Sequence, residues 1–206
     1  FFMTNVIKSW LKMGFYEGKK ILVTGGSGLV GSNLIIKLKE LGAIIFSPTH
    51  SELDLTRIEN CRKAVKDIEI VFNCAAVSSG AKVMKEDPKS LITPNILINL
   101  QLLEASVDAG VKQFLFISSN VVYPLLDHPI KENEVSGEFY ETYKGVADTK
   151  YYGERLCEFY NKNYPIKISI VRPANIYGPR DKFREEGHVI PALIERAIKK
   201  EDPFLV

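Results

Sequence analysis

The segment Thr24-Gly-Gly-Ser-Gly-Leu-Val-Gly31 is the first stretch whose residue types and spacing could do chemistry. Its glycines at 25, 28 and 31 follow a short apolar run, Lys20-Ile-Leu-Val-Thr24, and precede residues with helical apolar spacing. That order meets a specific need. The chain must turn tightly off a strand, bring backbone close to a pyrophosphate, and pack a helix tightly on a sheet. The first amides of the helix then face the phosphate charge. The spacing predicts a dinucleotide site, with a purely structural glycine turn as the alternative.

The rest of a dinucleotide is expected beyond the second strand. A carboxylate at that strand's tip would hold a ribose 2′-hydroxyl and favour NAD, whereas an arginine would favour NADP. Phe46-Ser-Pro-Thr-His-Ser51 has neither. With no acid to repel it, a 2′-phosphate is tolerated, and Ser47, Thr49, His50 and Ser51 could bond it. This favours NADP and leaves NAD open; the same residues also make an ordinary polar loop. His50 and His128 are expected in solvated loops. Cys61, Cys74 and Cys157 are scattered, with no Cys-x-x-Cys pair, so neither a disulfide framework nor a metal site is expected. Reduced thiols in a cytoplasmic protein fit better, and Cys74 and Cys157 read as small core residues rather than nucleophiles.

Alternating elements must position these groups. Strands are expected over 20–24, 43–46, 69–73, 112–118 and 167–172, and helices over 29–41, 57–67, 90–109 and roughly 145–163. Gly42 and Gly110 stop two of the helices. Runs such as 21–23 and 115–117 read as buried on both faces. The pattern predicts an α/β fold, a Rossmann-type doubly wound parallel sheet with helices on both faces. The stretch 123–143, rich in Pro, Gly and acidic residues, reads as a loop over the sheet's edge.

Composition fits this reading. The 206 residues suffice for one α/β domain or two small ones. A net charge of +2 gives no nucleic-acid or membrane-surface footprint. With 46% hydrophobic and 25% charged residues, disorder is not expected. No apolar run reaches membrane-spanning length. The start, 1–15, lacks the features of a signal peptide and reads as an amphipathic helix or an extension.

Several motifs then stand in order: Gly25-x-x-Gly28-x-x-Gly31, Asn73-Cys-Ala-Ala76, Ser118-Ser-x-x-x-Tyr123 and Arg172-Pro-x-Asn-x-Tyr-Gly-Pro179. Together they resemble the extended short-chain dehydrogenase/reductases that act on nucleotide sugars, the NAD-dependent epimerase/dehydratase family. Glu52-Leu-Asp-Leu-Thr56, Leu156-Cys-Glu158 and Gly187-His-Val-Ile-Pro-Ala192 narrow the resemblance to its GDP-L-fucose synthase branch. The resemblance covers about 19–199.

It implies hydride transfer at C4 of a nucleotide sugar, a GDP-sugar favoured. Gly25, Gly28, Leu29, Val30 and Gly31 would hold the pyrophosphate, and Asp54 and Leu55 would flank the adenine. Ala75 and Ala76 would lie along the nicotinamide ribose, with Pro173, Asn175 and Ile176 near the nicotinamide. Ser119 would bond the sugar's C4 oxygen. Lys150 would hold the nicotinamide ribose and lower a neighbouring tyrosine's pKa. His188 matches a residue that epimerises neighbouring carbons, or it simply starts the helix before 189–191. The resemblance also implies a homodimer through helices 90–109 and 145–163. It divides the chain into an extension (1–18), an NAD(P)-binding domain (19–180) and the start of a largely missing substrate domain (181–206).

Two positions depart from the pattern. Val146 stands four residues before Lys150, where the family has its catalytic tyrosine, and valine has no proton to transfer. A Tyr140-x-x-x-Lys144 pair exists, but using it slides the helix by six residues against every downstream motif. Val121 stands where the fucose synthases carry a cysteine and the sugar dehydratases a glutamate, so epimerisation and dehydration each lose an acid–base group. The alternatives are therefore another 4-epimerase or dehydratase, or a nucleotide-binding module with impaired catalysis.

Overall fold

A computed structural model describes residues 14–77, 86–181 and 189–201. The apolar run after Lys20 becomes β1 (Lys20–Thr24), in which Ile21, Leu22 and Val23 are fully buried. It is flanked by β2 (Ile44–Phe46) and β3 (Ile70–Asn73), followed outward by β4 (Gln113–Ile117) and β5 (Lys167–Val171). All pairs are parallel and the order is β2-β1-β3-β4-β5. The chain leaves β1 to one side to build β2 and returns to the other side to build β3. Loops at the carboxyl ends of β1 and β3 therefore diverge and leave a crevice.

Among the described residues the strands are connected or followed by α1 (Leu29–Glu40), α2 (Ile58–Ala64), α3 (Lys89–Asp108), α4 (Lys144–Asn163) and α5 (Val189–Ile198). Alternation along the strands sorts the core into two clusters. Leu22, Val71, Phe114 and Phe116 pack with Cys61 and Ala64 of α2, Leu102 and Leu103 of α3, and Cys157 of α4. Ile21, Val23, Ile70 and Phe72 face the other way, onto Leu34, Ile35 and Leu38 of α1. The register carries the first row straight across the sheet, Leu22 to Val71 to Phe114 to Ile168. The expected doubly wound sheet, with helices on both faces, is present.

Differences from the sequence expectations have local causes. α2 ends at Ala64 rather than at 67, because Asp67 takes a left-handed conformation (φ 59°) to turn into β3. The 115–117 run is buried on one face only: Phe116 is buried, while Leu115 and Ile117 are half-buried. α1 packs beside β1 and β2 on that face, so its cover does not extend across to β4. The 123–143 stretch is irregular apart from a single 3-10 turn, Glu141–Tyr143. Of the expected N-terminal extension, residues 1–13 lie outside the described residues; Tyr16 packs on the α1 side of the core.

Candidate functional site

The glycine loop sits at the point where strand order reverses. Gly25 has φ 65°, and a Cβ there would lie 2.6 Å from the Cys74 carbonyl oxygen. A Cβ on Gly31 would lie 2.8 Å from the Gly25 carbonyl carbon and 2.9 Å from Gly26 Cα. These positions let the loop lie directly on the β3 end and let α1 seat on the loop. Gly28 is the N-cap of α1 and donates to the Gly25 carbonyl at 2.9 Å. The helical ladder opens with Ser32 N–H to Gly28 C=O, which aims the Leu29, Val30 and Gly31 amides out of the helix start. At Gly26, not singled out by spacing, a Cβ would overlap the Ser47 hydroxyl and press on the Ile35 Cδ1 methyl, both ends of side chains that can turn aside.

A cavity of about 220 Å³ opens beside this loop, lined among others by Gly25, Ser47, Thr49, Leu55, Ala75 and Ala76. It is smaller than the ~300–1,000 Å³ pockets that enclose whole drug-sized ligands, so it suits one end of an elongated ligand. Backbone with no Cβ, amides at a helix start and an apolar slot for a ring fit a dinucleotide. Asp54 does not line this cavity: its carboxylate accepts from Thr56 N (3.0 Å) and Oγ1 (2.7 Å). Those bonds, more than the nearby His50 and Arg57, hold it below the usual aspartate range.

The 46–51 stretch carries no acid, as read, but the residue after it, Glu52, does. Glu52 folds back and accepts from Thr49 N (2.7 Å) and Thr49 Oγ1 (2.8 Å), which lowers its pKa. Ser47 donates to the Val23 carbonyl at 2.7 Å, while His50 lines the cavity with an exposed ring. A downstream residue supplies the charge, so reading the strand tip alone misses it.

A buried polar chain locks the crevice. Thr24 donates to Asn73 Oδ1 (2.9 Å), Asn73 donates to Asn99 Oδ1 (3.0 Å), and Ala75 N–H donates to Thr24 Oγ1 (3.0 Å). Asn95 of α3 brackets Val77, accepting from its N–H at 2.9 Å and donating to its carbonyl at 2.8 Å. Polar residues closing apolar strand runs were the available signal for Thr24 and Asn73. Nothing local in the sequence marks Asn95 or Asn99.

The second half of the site lies where β4 and β5 end. Ser119 caps the 3-10 turn Asn120–Val122, its Oγ accepting from Val121 N–H at 3.3 Å. Backbone pairing of Ser118 N to Val171 O (2.8 Å) and Asn120 N to Pro173 O (3.1 Å) joins this turn to the β5 exit. Lys150 of α4 donates to the Ile117 carbonyl at 2.7 Å, and its ammonium lies 5.3 Å from the Phe116 ring centroid. Burial pulls its pKa down to about 8, opposed by Cys74 and Glu154. The three thiols are pushed up to about 12, chiefly by burial. Among the described residues no cluster of His, Cys, Asp or Glu could hold a metal.

The structure separates the two lysine candidates. Lys144 is half-exposed and pairs with Asp148 at 2.7 Å, and Tyr140 is half-exposed against Tyr143. Lys150 is the one at the strand ends. Val146, one turn before it, lines a cavity of about 80 Å³ with Pro88, Leu91, Ile92, Glu141, Thr142 and Gly145. Pro173 is half-buried beside the Ser119 turn, and Asn175 and Ile176 are exposed on the same loop, outside the larger cavity. His188 lies outside the described residues.

Below this turn Glu154 is buried at 1% exposure. It accepts from the Ser118 hydroxyl and from Arg172 Nε (2.8 Å) and Nη2 (2.7 Å). Arg172 also donates to Tyr123 Oη (3.1 Å) and the Glu132 carbonyl (2.7 Å). Spacing gave no hint of this network, whose members are far apart in sequence.

The chain is 33% identical over 192 residues to the GDP-L-fucose synthase of Sinorhizobium fredii, covering 91% of this chain and 61% of that protein. It is 32% identical to the GDP-L-fucose synthase of Escherichia coli, covering 86% of this chain and 57% of the relative. The chain thus spans about three-fifths of the length of the curated relatives it matches. The crystal structure of a GDP-L-fucose synthetase from Naegleria fowleri bound to NADP superposes with a TM-score of 0.78 at 26% identity, covering 91% of this chain and 65% of that one. The model of the NAD dependent epimerase/dehydratase family matches residues 21–206, from β1 through the glycine crevice and the Lys150 helix to the last residue, and the chain belongs to that family.

Proposed function

We propose that this chain is the cofactor-binding part of an NADP-dependent nucleotide-sugar oxidoreductase/epimerase that works at the sugar's C4, of the GDP-L-fucose synthase kind. The observation that carries the reading is Lys150, a buried ammonium held at the ends of β4 and β5 beside the Ser119 turn. Nicotinamide bound in the crevice would supply or accept the hydride. The Leu29, Val30 and Gly31 amides would receive the pyrophosphate, and Leu55 would pack on the adenine in the cavity that also holds Ala75 and Ala76. Ser119 Oγ would hold the C4 oxygen and Lys150 would keep the ribose in place. Glu52 is already satisfied by Thr49, and the exposed His50 stands ready at the loop where a 2′-phosphate would lie. Relatives named as GDP-sugar enzymes favour a GDP-sugar substrate. Exposed Tyr152 and Phe159 on α4 fit a homodimer through α3 and α4. Three free cysteines, two of them buried and Cys74 half-buried, fit a reducing cytoplasm, and among the described residues no helix is long and apolar enough to cross a membrane. The chain divides at about residue 180 into a cofactor domain and the start of a substrate domain.

Val146 deprives this chain of the expected tyrosine, so the proton must come through water held by Ser119 and Lys150. The test is fluorescence titration with NADPH and with NADH, followed by turnover of GDP-4-keto-6-deoxy-mannose by the wild type and Val146→Tyr. Saturable NADPH binding with wild-type turnover supports the reading. NADPH binding with turnover only in Val146→Tyr refutes native catalysis and leaves a nucleotide-binding module. Absence of binding by either cofactor refutes the cofactor assignment.

A further inference from the structure

We propose that Glu154 and Arg172 are positioning residues whose buried ion pair, with Ser118, holds Ser119 and Lys150 in one rigid frame. This rests on the C4 oxidoreductase reading above.

The frame is visible residue by residue. Ser118 lies between Ile117, whose carbonyl receives the Lys150 ammonium at 2.7 Å, and Ser119, whose hydroxyl accepts from Val121 N–H at the start of the 3-10 turn. Ser118's own hydroxyl is bound to Glu154, and Glu154 follows Lys150 by one turn on the same face of α4. The two oxygens of Glu154 take the Arg172 fork, and Arg172 lies between Val171 and Pro173, the two residues whose carbonyls receive Ser118 N and Asn120 N. Tyr123 closes the top: Arg172 stacks 5.0 Å from its ring centroid and donates to its oxygen. The ends of β4 and β5, α4 and the loop from Tyr123 to Glu132 therefore meet on one ion pair, the loop through Arg172 and the rest through Glu154.

Stability alone does not explain such a pair. Burying two charges costs roughly what their attraction returns, and an apolar pair of the same shape serves the core as well. A fork on a carboxylate does fix direction, because both partners are planar and the two bonds are parallel. It also places an anion beside the amine. The groups facing Lys150 are the Cys74 thiol from the β3 end, the Phe116 ring and Ile117 carbonyl from β4, and Glu154 from its own helix, with Arg172 of the β5 exit bound to that same carboxylate. Glu154 is the anion among them, so it favours the charged form of the lysine.

The test uses the full chain with Glu154→Gln, Arg172→Lys and Ser118→Ala, and Glu158→Gln as a control, since Glu158 pairs with Arg155 on the exposed face of α4. Lysines are converted to 13C-dimethyl-lysine, and the Lys150 resonance, assigned by its loss in Lys150→Arg, is followed against pH. This readout needs neither cofactor nor turnover. In Glu154→Gln the Lys150 midpoint should fall by about one pH unit, a ~10-fold loss of proton affinity, and in Glu158→Gln it should stay. Arg172→Lys and Ser118→Ala should lower kcat for keto-sugar reduction by roughly 10-fold with KM unchanged, because they loosen Ser119 without touching substrate contacts. An unmoved midpoint in Glu154→Gln, or unaltered kcat in both milder variants, overturns the proposal. If Glu154→Gln does not fold, the kcat of the two milder variants decides. A shifted midpoint in a chain that turns over no keto-sugar supports the frame and refutes the functional reading instead.

Discussion

Gly31→Ala separates helix propensity from loop packing, because the two predict opposite signs. Gly31 is in the first turn of α1, where replacing glycine by alanine ordinarily stabilises a helix by ~1 kcal/mol. Here the new Cβ would stand 2.8 Å from the Gly25 carbonyl carbon and nearer still to its oxygen. Restoring an ordinary contact of 3.4 Å opens the gap by at least about 0.6 Å. The obstacle is backbone at Gly25 and Gly26, not the far end of a flexible side chain that could swing aside. Overpacking that forces backbone shifts costs about 3 kcal/mol at the upper end of its usual range. Net of propensity, the variant should be less stable by ~2 kcal/mol, a fall in Tm of roughly 4–8 °C for a chain of this size. The same shift carries the Leu29–Gly31 amides away from the crevice, so NADPH affinity should drop at least ~10-fold. Gly28→Ala should cost less stability than Gly31→Ala, because its Cβ would meet the Gly25 oxygen only a few tenths of an ångström too close, at 3.3 Å, and its φ of −84° suits any residue. Thermal unfolding followed by circular dichroism, with cofactor titration, reads both. A Gly31→Ala variant that melts 2–4 °C above wild type, as propensity alone predicts, with unchanged affinity would refute the packing argument.

Two further outcomes follow from the buried ionisable groups. Lys150 titrates at about 8 when folded against 10.5 when free, so between those pH values the unfolded chain binds more protons and stability rises with pH. Denaturant unfolding should show this rise in the wild type and lose it in Lys150→Met, which should be the more stable protein below pH 8 by up to ~3 kcal/mol, less the lost bond to the Ile117 carbonyl; a flat wild-type profile would contradict the burial of this amine. Because the three thiols sit at about 12, only about 10⁻⁴ of each is thiolate at pH 8. Native protein should resist iodoacetamide and take up three labels once denatured, as counted by intact mass; rapid native labelling of Cys74 would show an open crevice floor.

The sequence alone determined the order of strands and helices, the glycine loop and the class of ligand that loop suits. These depend on local rules: apolar runs make buried strands, helical spacing makes amphipathic helices, and the absence of Cβ atoms makes a close turn. The family resemblance, not a local rule, pointed to Lys150 rather than Lys144; Lys150 reaches the Ile117 carbonyl at the end of β4, while Lys144 pairs with Asp148 at the surface. Tertiary structure decided what depends on contacts between distant residues. The reversal of strand order between β1 and β3 creates the crevice, yet no residue in either strand encodes the neighbour it will pair with. Glu52 folds back on Thr49 at the rim of the crevice, and Asp54, two residues on, turns away to Thr56. Ser118, Glu154 and Arg172 are separated by 36 and 18 residues and share no pattern, but once β4, α4 and β5 pack, a buried carboxylate must find its donors, and these are the two within reach.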